Sequence, residues 1–212
     1  MVNKSINPPG DCSLCPRLCG FRQDNQKTYP DFFNAPVPSF GDPGAALLIV
    51  GLAPGLKGAN RTGRPFTGDY AGDLLYGTLI KYGFAVGEYK ARPDDGLTLK
   101  NALITNAVRC VPPENKPVGL EINTCRPFLV NQIKVLRNLK TILALGGIAH
   151  RSVVTAYQKR QVDYPFGHAS SHDLGGGIRL VDSYHCSRYN TNTGRLTTGM
   201  FESLFASLRE TI

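Results

Sequence analysis

Four short runs constrain this chain more than any other feature: Ala46–Val50, Ala102–Val108, Thr141–Leu145 and Ile178–Tyr184. Each is β-rich or continuously apolar, and none alternates cleanly between apolar and polar along its length. Such runs suit strands covered on both faces, as in a parallel sheet. Helical spacing fills the intervals. Leu74, Leu75, Leu79 and Ile80 mark an apolar face after Asp69, and Ile122, Cys125, Phe128, Leu129, Ile133 and Leu136 mark another. Ile148–Gln158 makes a third, and Met200–Leu208 closes the chain. This β-α alternation predicts right-handed crossovers and an α/β fold, a three-layer αβα domain over residues 1–212 with a central four-stranded parallel sheet. Functional loops then belong at the carboxyl ends of the strands.

Residues 1–44 are rich in Pro, Gly and Asp and read as coil with one short helix over Cys15–Gln23. Glu88–Lys100 and Asp163–Gly177 read as loops. Hydrophobic residues make up 42% and charged residues 19% of the 212, which excludes wholesale disorder. The longest apolar run, Ala45–Ala53, is broken by Gly51 and falls far short of the roughly 20 residues of a membrane span. The N-terminus has no apolar stretch of signal-peptide type. A cytoplasmic chain is therefore expected, without a membrane partner. The 24 Lys and Arg against 16 Asp and Glu leave a net charge of +8, which favours an anionic partner such as nucleic acid.

The six cysteines, in a reducing compartment, are free thiols or metal ligands. Cys12 and Cys15 form a C-x2-C pair, and Cys110 and Cys125 offer a second, wider pair, one following a strand and the other on a helix. Four thiolates suit Zn2+ or an iron–sulfur cluster, and coordination chemistry alone does not choose between them. A site there would pin the N-terminal coil against the sheet. Cys19 extends the first pair and is a rival ligand. Cys186 follows a histidine in a loop and has no base arrangement that would make it a nucleophile.

Three loops carry the remaining chemistry. The segment GLAPGLKGANRTGRPFTGD, Gly51 to Asp69, is glycine-rich but fits neither the P-loop nor the dinucleotide fingerprint. Arg61 and Arg64 offer phosphate contacts, Phe66 offers a flat face to a base, and Asp69 is suited either to orienting water or to capping the helix that follows. Asn106 falls at the end of the second run, where its carboxamide can both donate to and accept from the edge of a pyrimidine. The loop SYHCSRYNTNTGRLT, Ser183 to Thr197, holds His185, Ser187, Arg188 and Arg195 and no acidic residue, which suits phosphates and oxyanions.

These segments together resemble the iron–sulfur uracil-DNA glycosylases, family 5 (type B) more closely than family 4. The resemblance rests on C-x2-C-P-R-L, FGDPGAALLIVGLAPG, NRTGRPFTGD, ITNAVRCVPPENKP, CRPFL and SYH-x-S-x-x-N-T-x-T-G-R-L-T, which span nearly the whole chain. GLAPG, with no acidic or Asn residue after its first glycine, is what points to type B. The resemblance implies a glycosylase fold and a 4Fe–4S cluster on Cys12, Cys15, Cys110 and Cys125, with Cys19 left as a structural thiol. It implies a monofunctional enzyme that excises uracil, and other deaminated bases such as hypoxanthine, from DNA. It also implies a base pocket formed by Gly51, Ala53, Pro54, Gly55, Phe66, Asn106 and His185. His185 would stabilise the departing base, and Asp69 would take the water-orienting role where Ala53 replaces the usual polar residue. Arg61, Arg64, Ser187, Arg188 and Arg195 would grip the DNA backbone. The chain departs from the family at Cys186, where the usual motif reads His-Pro-Ser. A monomer is expected. The competing readings are a DNA-binding module without catalysis and a nucleotide hydrolase acting on small molecules.

Overall fold

The computed structural model describes residues 5–212. In chain order the elements are α1 (Pro16–Thr28), β1 (Phe40–Gly41), β2 (Leu47–Gly51), α2 (Ala59–Thr62), α3 (Tyr70–Lys81), β3 (Ala85–Val86), β4 (Thr98–Leu99), β5 (Ala102–Asn106) and α4 (Gly119–Val135). Then come β6 (Thr141–Leu145), α5 (Gly147–Ala156), β7 (Ser171–Gly175), β8 (Ile178–Ser183), α6 (Arg188–Asn192) and α7 (Thr198–Thr211).

The four runs read from the sequence form the centre of the main sheet. Strands β5, β2, β6 and β8 lie side by side in that order, all parallel. Their residues alternate between two buried faces. Leu47, Ile49, Ile104, Leu143 and Val181 pack beneath α3 and α7 with Leu75, Leu79, Phe201 and Phe205. Leu48, Val50, Leu103, Ile142 and Leu180 pack beneath α4 and α5 with Leu129, Leu136, Val153 and Val154. Both faces are covered, so the apolar runs are continuous.

The sheet is wider than four strands. β1 joins β5 and β7 joins β8, both antiparallel, giving six strands in the order β1-β5-β2-β6-β8-β7. These edges escape a reading by hydrophobic pattern because β1 is two residues long and β7 (SHDLG) buries only Leu174. The expectation that Asp163–Gly177 is loop is corrected by β7. Glu88–Lys100 likewise contributes β4, which pairs with β3 in a small ribbon. The second run leaves the sheet at Asn106, before Val108.

The N-terminal segment is held by more than its cysteines. α1 extends to Thr28, past the expected Gln23, and Arg17 pairs with Glu121 of α4 at 2.7 Å. The buried guanidinium of Arg109 donates to Asn7 Oδ1 and Ser39 Oγ, both at 3.0 Å. None of the described helices is long and apolar enough to cross a membrane.

Candidate active site

The carboxyl edge of the parallel strands carries a pocket of 540 Å³, within the range of about 300–1,000 Å³ usual for small-ligand sites. The loop after β2 contributes Ala53 and Gly55, and β5 and its following loop contribute Asn106 and Asn115. The segment leading into α3 contributes Phe66, Asp69 and Tyr70, and the loop after β8 contributes His185, Ser187 and Arg188. Residues far apart in sequence meet here because parallel strands end at one edge.

Asn106 is the last residue of β5 and is only 3% exposed, and its Oδ1 has no hydrogen-bond partner among the described residues. An unsatisfied buried acceptor is costly, and at a pocket wall it marks a place for a ligand donor. Gly51, opposite Asn106 in the β2–β5 register, makes the arrangement sterically feasible. A Cβ there would lie 2.4 Å from Asn106 Oδ1 and 2.6 Å from Phe66 Cζ. Phe66 itself adopts φ of +53°, a left-handed conformation that costs a non-glycine residue on the order of 1–3 kcal/mol. Its ring stacks on His185, with centroids 5.8 Å apart and planes 27° from parallel.

Burial pushes His185 down to about 4, so its imidazole is neutral at physiological pH. Asn190 Nδ2 donates to its carbonyl at 2.8 Å, and the Cys186 thiol donates to Ala71 O at 3.5 Å, which fastens the histidine loop to the start of α3. Asp69 caps α3 by accepting from Gly72 N, and it also lines the pocket. Burial raises its pKa, against the lowering effect of the Gly72 and Ala71 N–H groups. Its Oδ2 lies against the backbone of Gly55 and Gly58, where a Cβ would approach to 3.2 and 2.4 Å.

Some sequence-predicted residues lie elsewhere. Arg64 does not face the pocket, which corrects the expected phosphate contact. It is buried, binds Asp95 through two hydrogen bonds of 2.8 and 2.7 Å, and lies over the rings of Phe40, Tyr76 and Tyr89. Gly51 and buried Pro54 stand behind the pocket wall rather than on its surface. Arg61 and Arg195 are exposed outside the lining, with Arg195 stacked over Tyr184 at 4.6 Å. Arg188 is on the rim, 5.3 Å from the Tyr70 ring centre. Among the described residues, none of Arg61, Arg188 and Arg195 is paired with a carboxylate.

Sequence reasoning missed Tyr70 and Asn115. Tyr70 accepts from Thr191 Oγ1 at 3.1 Å and so joins α3 to α6 across the rim. Asn115 sits at φ +58° in the 3-10 turn Pro113–Asn115, which brings the PPENKP segment to the pocket. The paired prolines were the available signal, but they specify a turn and not its neighbours.

The family model described as the uracil DNA glycosylase superfamily matches residues 38–209. The chain belongs to this superfamily. It is 42% identical over 195 residues to a type-5 uracil-DNA glycosylase of Thermus thermophilus, covering 90% of this chain and 89% of that one. A type-5 uracil-DNA glycosylase of Pyrobaculum aerophilum is 36% identical over 200 residues, covering 92% and 85%. A type-4 uracil-DNA glycosylase of the same organism is 34% identical over a shorter stretch, covering 58% and 56%.

In this superfamily member Cys12, Cys15, Cys110 and Cys125 line one small cavity, together with Cys19, Leu18 and Phe128. Burial pushes the Cys110 and Cys125 thiols up, to about 11 and about 12, and two N–H donors to sulfur act against that rise. Arg22 Nη1 donates to Cys110 Sγ at 3.2 Å, and the backbone N–H of Arg109 donates to Cys125 Sγ at 3.4 Å. Among the described residues the tight ligand-type group is a different one, His150, His172 and Asp182, whose atoms fall within 4.8 Å of one another. His150 in that group is held at both ring nitrogens, Nδ1 2.8 Å from Asp182 Oδ1 and Nε2 2.8 Å from Tyr164 O, while Asp182 Oδ2 has no hydrogen-bond partner among the described residues and lies 3.6 Å from His172 Nε2.

Proposed function

We propose that this chain is a monofunctional uracil-DNA glycosylase. It everts uracil, or another deaminated base such as hypoxanthine, into the pocket and hydrolyses the N-glycosidic bond, leaving an abasic site. The observation that carries the reading is the unpartnered Asn106 Oδ1, buried beside the Phe66–His185 stack. A base inside a duplex is out of reach, so it must leave the stack. Asn106 Oδ1 accepts from the imide N–H of the everted base, and Nδ2 donates to the adjacent carbonyl. Phe66 supplies the face against which the ring lies.

Breaking the C1′–N1 bond sends its electron pair to the base and leaves positive charge on the sugar. Neutral His185 donates an N–H to the developing oxyanion on the base, an interaction strongest in the transition state. The Asp69 carboxylate faces the cationic sugar and orients the water that adds to C1′, taking its proton. No lysine is among the residues lining the pocket, which favours attack by water over an imine and strand nicking. Arg188, Ser187, Arg61 and Arg195 hold flanking phosphates. Tyr189, 73% exposed on α6 beside Arg188, fills the space the base vacates.

Cys12, Cys15, Cys110 and Cys125 hold a 4Fe–4S cluster in this reading, and their shared cavity with its N–H donors to sulfur supports it. The bound cluster supplies a rigid crosslink between the N-terminal segment and the Cys110–Cys125 loop. The hydrolysis itself is carried by the pocket residues.

The test is release of free base from oligonucleotides carrying uracil, hypoxanthine or xanthine. Asn106→Ala is expected to lose at least 10-fold in rate while keeping its fold, since a hydrogen bond to a charge-bearing base contributes about 1.5–3 kcal/mol. Tight DNA binding without base release would leave a non-catalytic module, and faster turnover of free nucleotide would leave a small-molecule hydrolase.

A further inference from the structure

The segment that presents Phe66 turns back on itself through three left-handed residues, Gly63 at φ +75°, Phe66 at +53° and Gly68 at +92°. Glycine takes such angles freely, whereas phenylalanine takes them only when its surroundings impose them. Those surroundings come from outside the segment. Asp95 enters from the loop before β4, and its side chain is 0% exposed against 4% for that of Arg64. Its two oxygens take Arg64 Nη1 and Nη2 at 2.8 and 2.7 Å, and Arg64 Nε donates to Thr67 Oγ1 at 2.7 Å. The same carboxylate accepts from the backbone N–H groups of Lys90 and Leu97, which folds the loop around the pair. The loop also delivers Tyr89, stacked on Tyr76 at 4.7 Å. Tyr89 Oη donates to Phe66 O and accepts from Gly68 N, both at 3.3 Å, while Tyr76 Oη donates to Pro65 O at 2.6 Å. Every residue from Arg64 to Gly68 is therefore gripped by this network.

We propose that Asp95 and Tyr89 are positioning residues for base recognition, acting through Arg64 and the backbone of residues 65–68 to hold Phe66 against His185 and Asn106. The inference rests on the glycosylase reading above for its effect on rate, and on geometry alone for its effect on Phe66. Neither residue lines the pocket. The grip has two separable parts: removing the Tyr89 hydroxyl leaves the Arg64–Asp95 ion pair intact, and exchanging Asp95 for Asn keeps the side chain's shape and the Tyr89 contacts while leaving the buried Arg64 cation without its carboxylate. Each change relaxes Phe66 without emptying a core site.

The experiment uses the full-length protein and the variants Asp95→Asn, Tyr89→Phe and Phe66→Ala, with both double variants in the Phe66→Ala background. Two readouts are taken. The first is the single-turnover rate of uracil release at saturating DNA. Asp95→Asn and Tyr89→Phe are each expected to slow it about 10-fold or more, in keeping with the cost of small misplacements in an active site. In the Phe66→Ala background the same changes should slow it less than about 2-fold further, because the ring they position is gone. The second readout is the NMR shift of the His185 ring protons, which lie in the ring current of Phe66. It should move in the direction of the Phe66→Ala value in both single variants, while His172 stays in place. Full rates in both single variants, full additivity with Phe66→Ala, or an unmoved His185 signal would each overturn the proposal. A wild-type protein that releases no base would overturn the glycosylase reading instead, and the His185 signal would still decide the positioning role.

Discussion

Phe66 lies over His185 with ring centroids 5.8 Å apart, and the two rings come from loops far apart in the chain. The contact joins the glycine-rich loop after β2 to the histidine loop after β8, and Asn106 stands beside it as the last residue of β5. One face for stacking, one carboxamide for edge recognition and one neutral N–H donor are thereby gathered from three strand ends.

The electrostatics of that site set its pH dependence. Burial holds His185 down at about 4 and raises Asp69, so the working combination of neutral imidazole and ionised carboxylate is lost on the acid side. Base release is expected to fall as pH drops toward 4, and a profile measured on His185→Gln should keep only the limb that belongs to Asp69. Stability follows the same histidine. Its folded value lies below the unfolded value of about 6.5, so its contribution is full above about 6.5 and is lost as pH falls toward 4. Melting temperatures over that range should decline less steeply in His185→Gln than in the parent. An equal decline would remove His185 as the cause.

Gly51 is predicted to tolerate no side chain. The added methyl of Gly51→Ala would overlap Asn106 and Phe66, so thermal unfolding should show a loss of about 1–3 kcal/mol, the usual cost of overpacking. Base release should fall further than Gly77→Ala, a control position with nothing within 4 Å of the added carbon. Unchanged melting and activity in Gly51→Ala would show that the close approach is not required.

The two arginines of the GANRTGRPFTGD segment should behave differently from each other, Arg61 like Arg188 and Arg64 unlike either. Arg188→Gln is expected to weaken DNA binding and to reduce the slope of log K against log salt by about 0.9, the value for one lost phosphate contact. Arg61→Gln is expected to do the same, and an unchanged slope would remove Arg61 from the phosphate-binding set. Arg64→Gln should leave the slope alone and destabilise the fold by about 3–5 kcal/mol, since it strands Asp95 as a buried charge. A salt slope that falls with Arg64→Gln would return that residue to the DNA-facing set.

Cluster binding is checked by iron content and visible absorbance of protein purified without oxygen. Cys110→Ser or Cys125→Ser is expected to lose both, whereas Cys186→Ser, on the far side of the pocket wall against Ala71, should keep both. Cys19→Ser should also keep both, because the other four sulfurs suffice as ligands. A colourless, zinc-loaded parent protein would rule the cluster out.

Much of the architecture was readable from hydrophobic runs, because a strand buried on both faces leaves its mark in consecutive residues. The edge strands β1 and β7 left no such mark, being too short or too exposed. Asn106 and His185 were readable as candidates because each is a polar residue at the end of an apolar run. Asn115 and Tyr70 were not, since neither a turn nor a helix start discloses what it will face.

By itself, the order of residues determined the parallel core, the strand ends at which chemistry collects and the cysteine pairs with their spacing. Those are properties of local pattern and residue type. Only the tertiary structure decided which cations remain free for DNA, that Phe66 is strained and that an acceptor on Asn106 has no partner. The physical reason is that burial and pairing depend on contacts remote in the chain. Arg64 is a surface cation by its neighbours in sequence, and an internal strut because Asp95, 31 residues away, folds onto it.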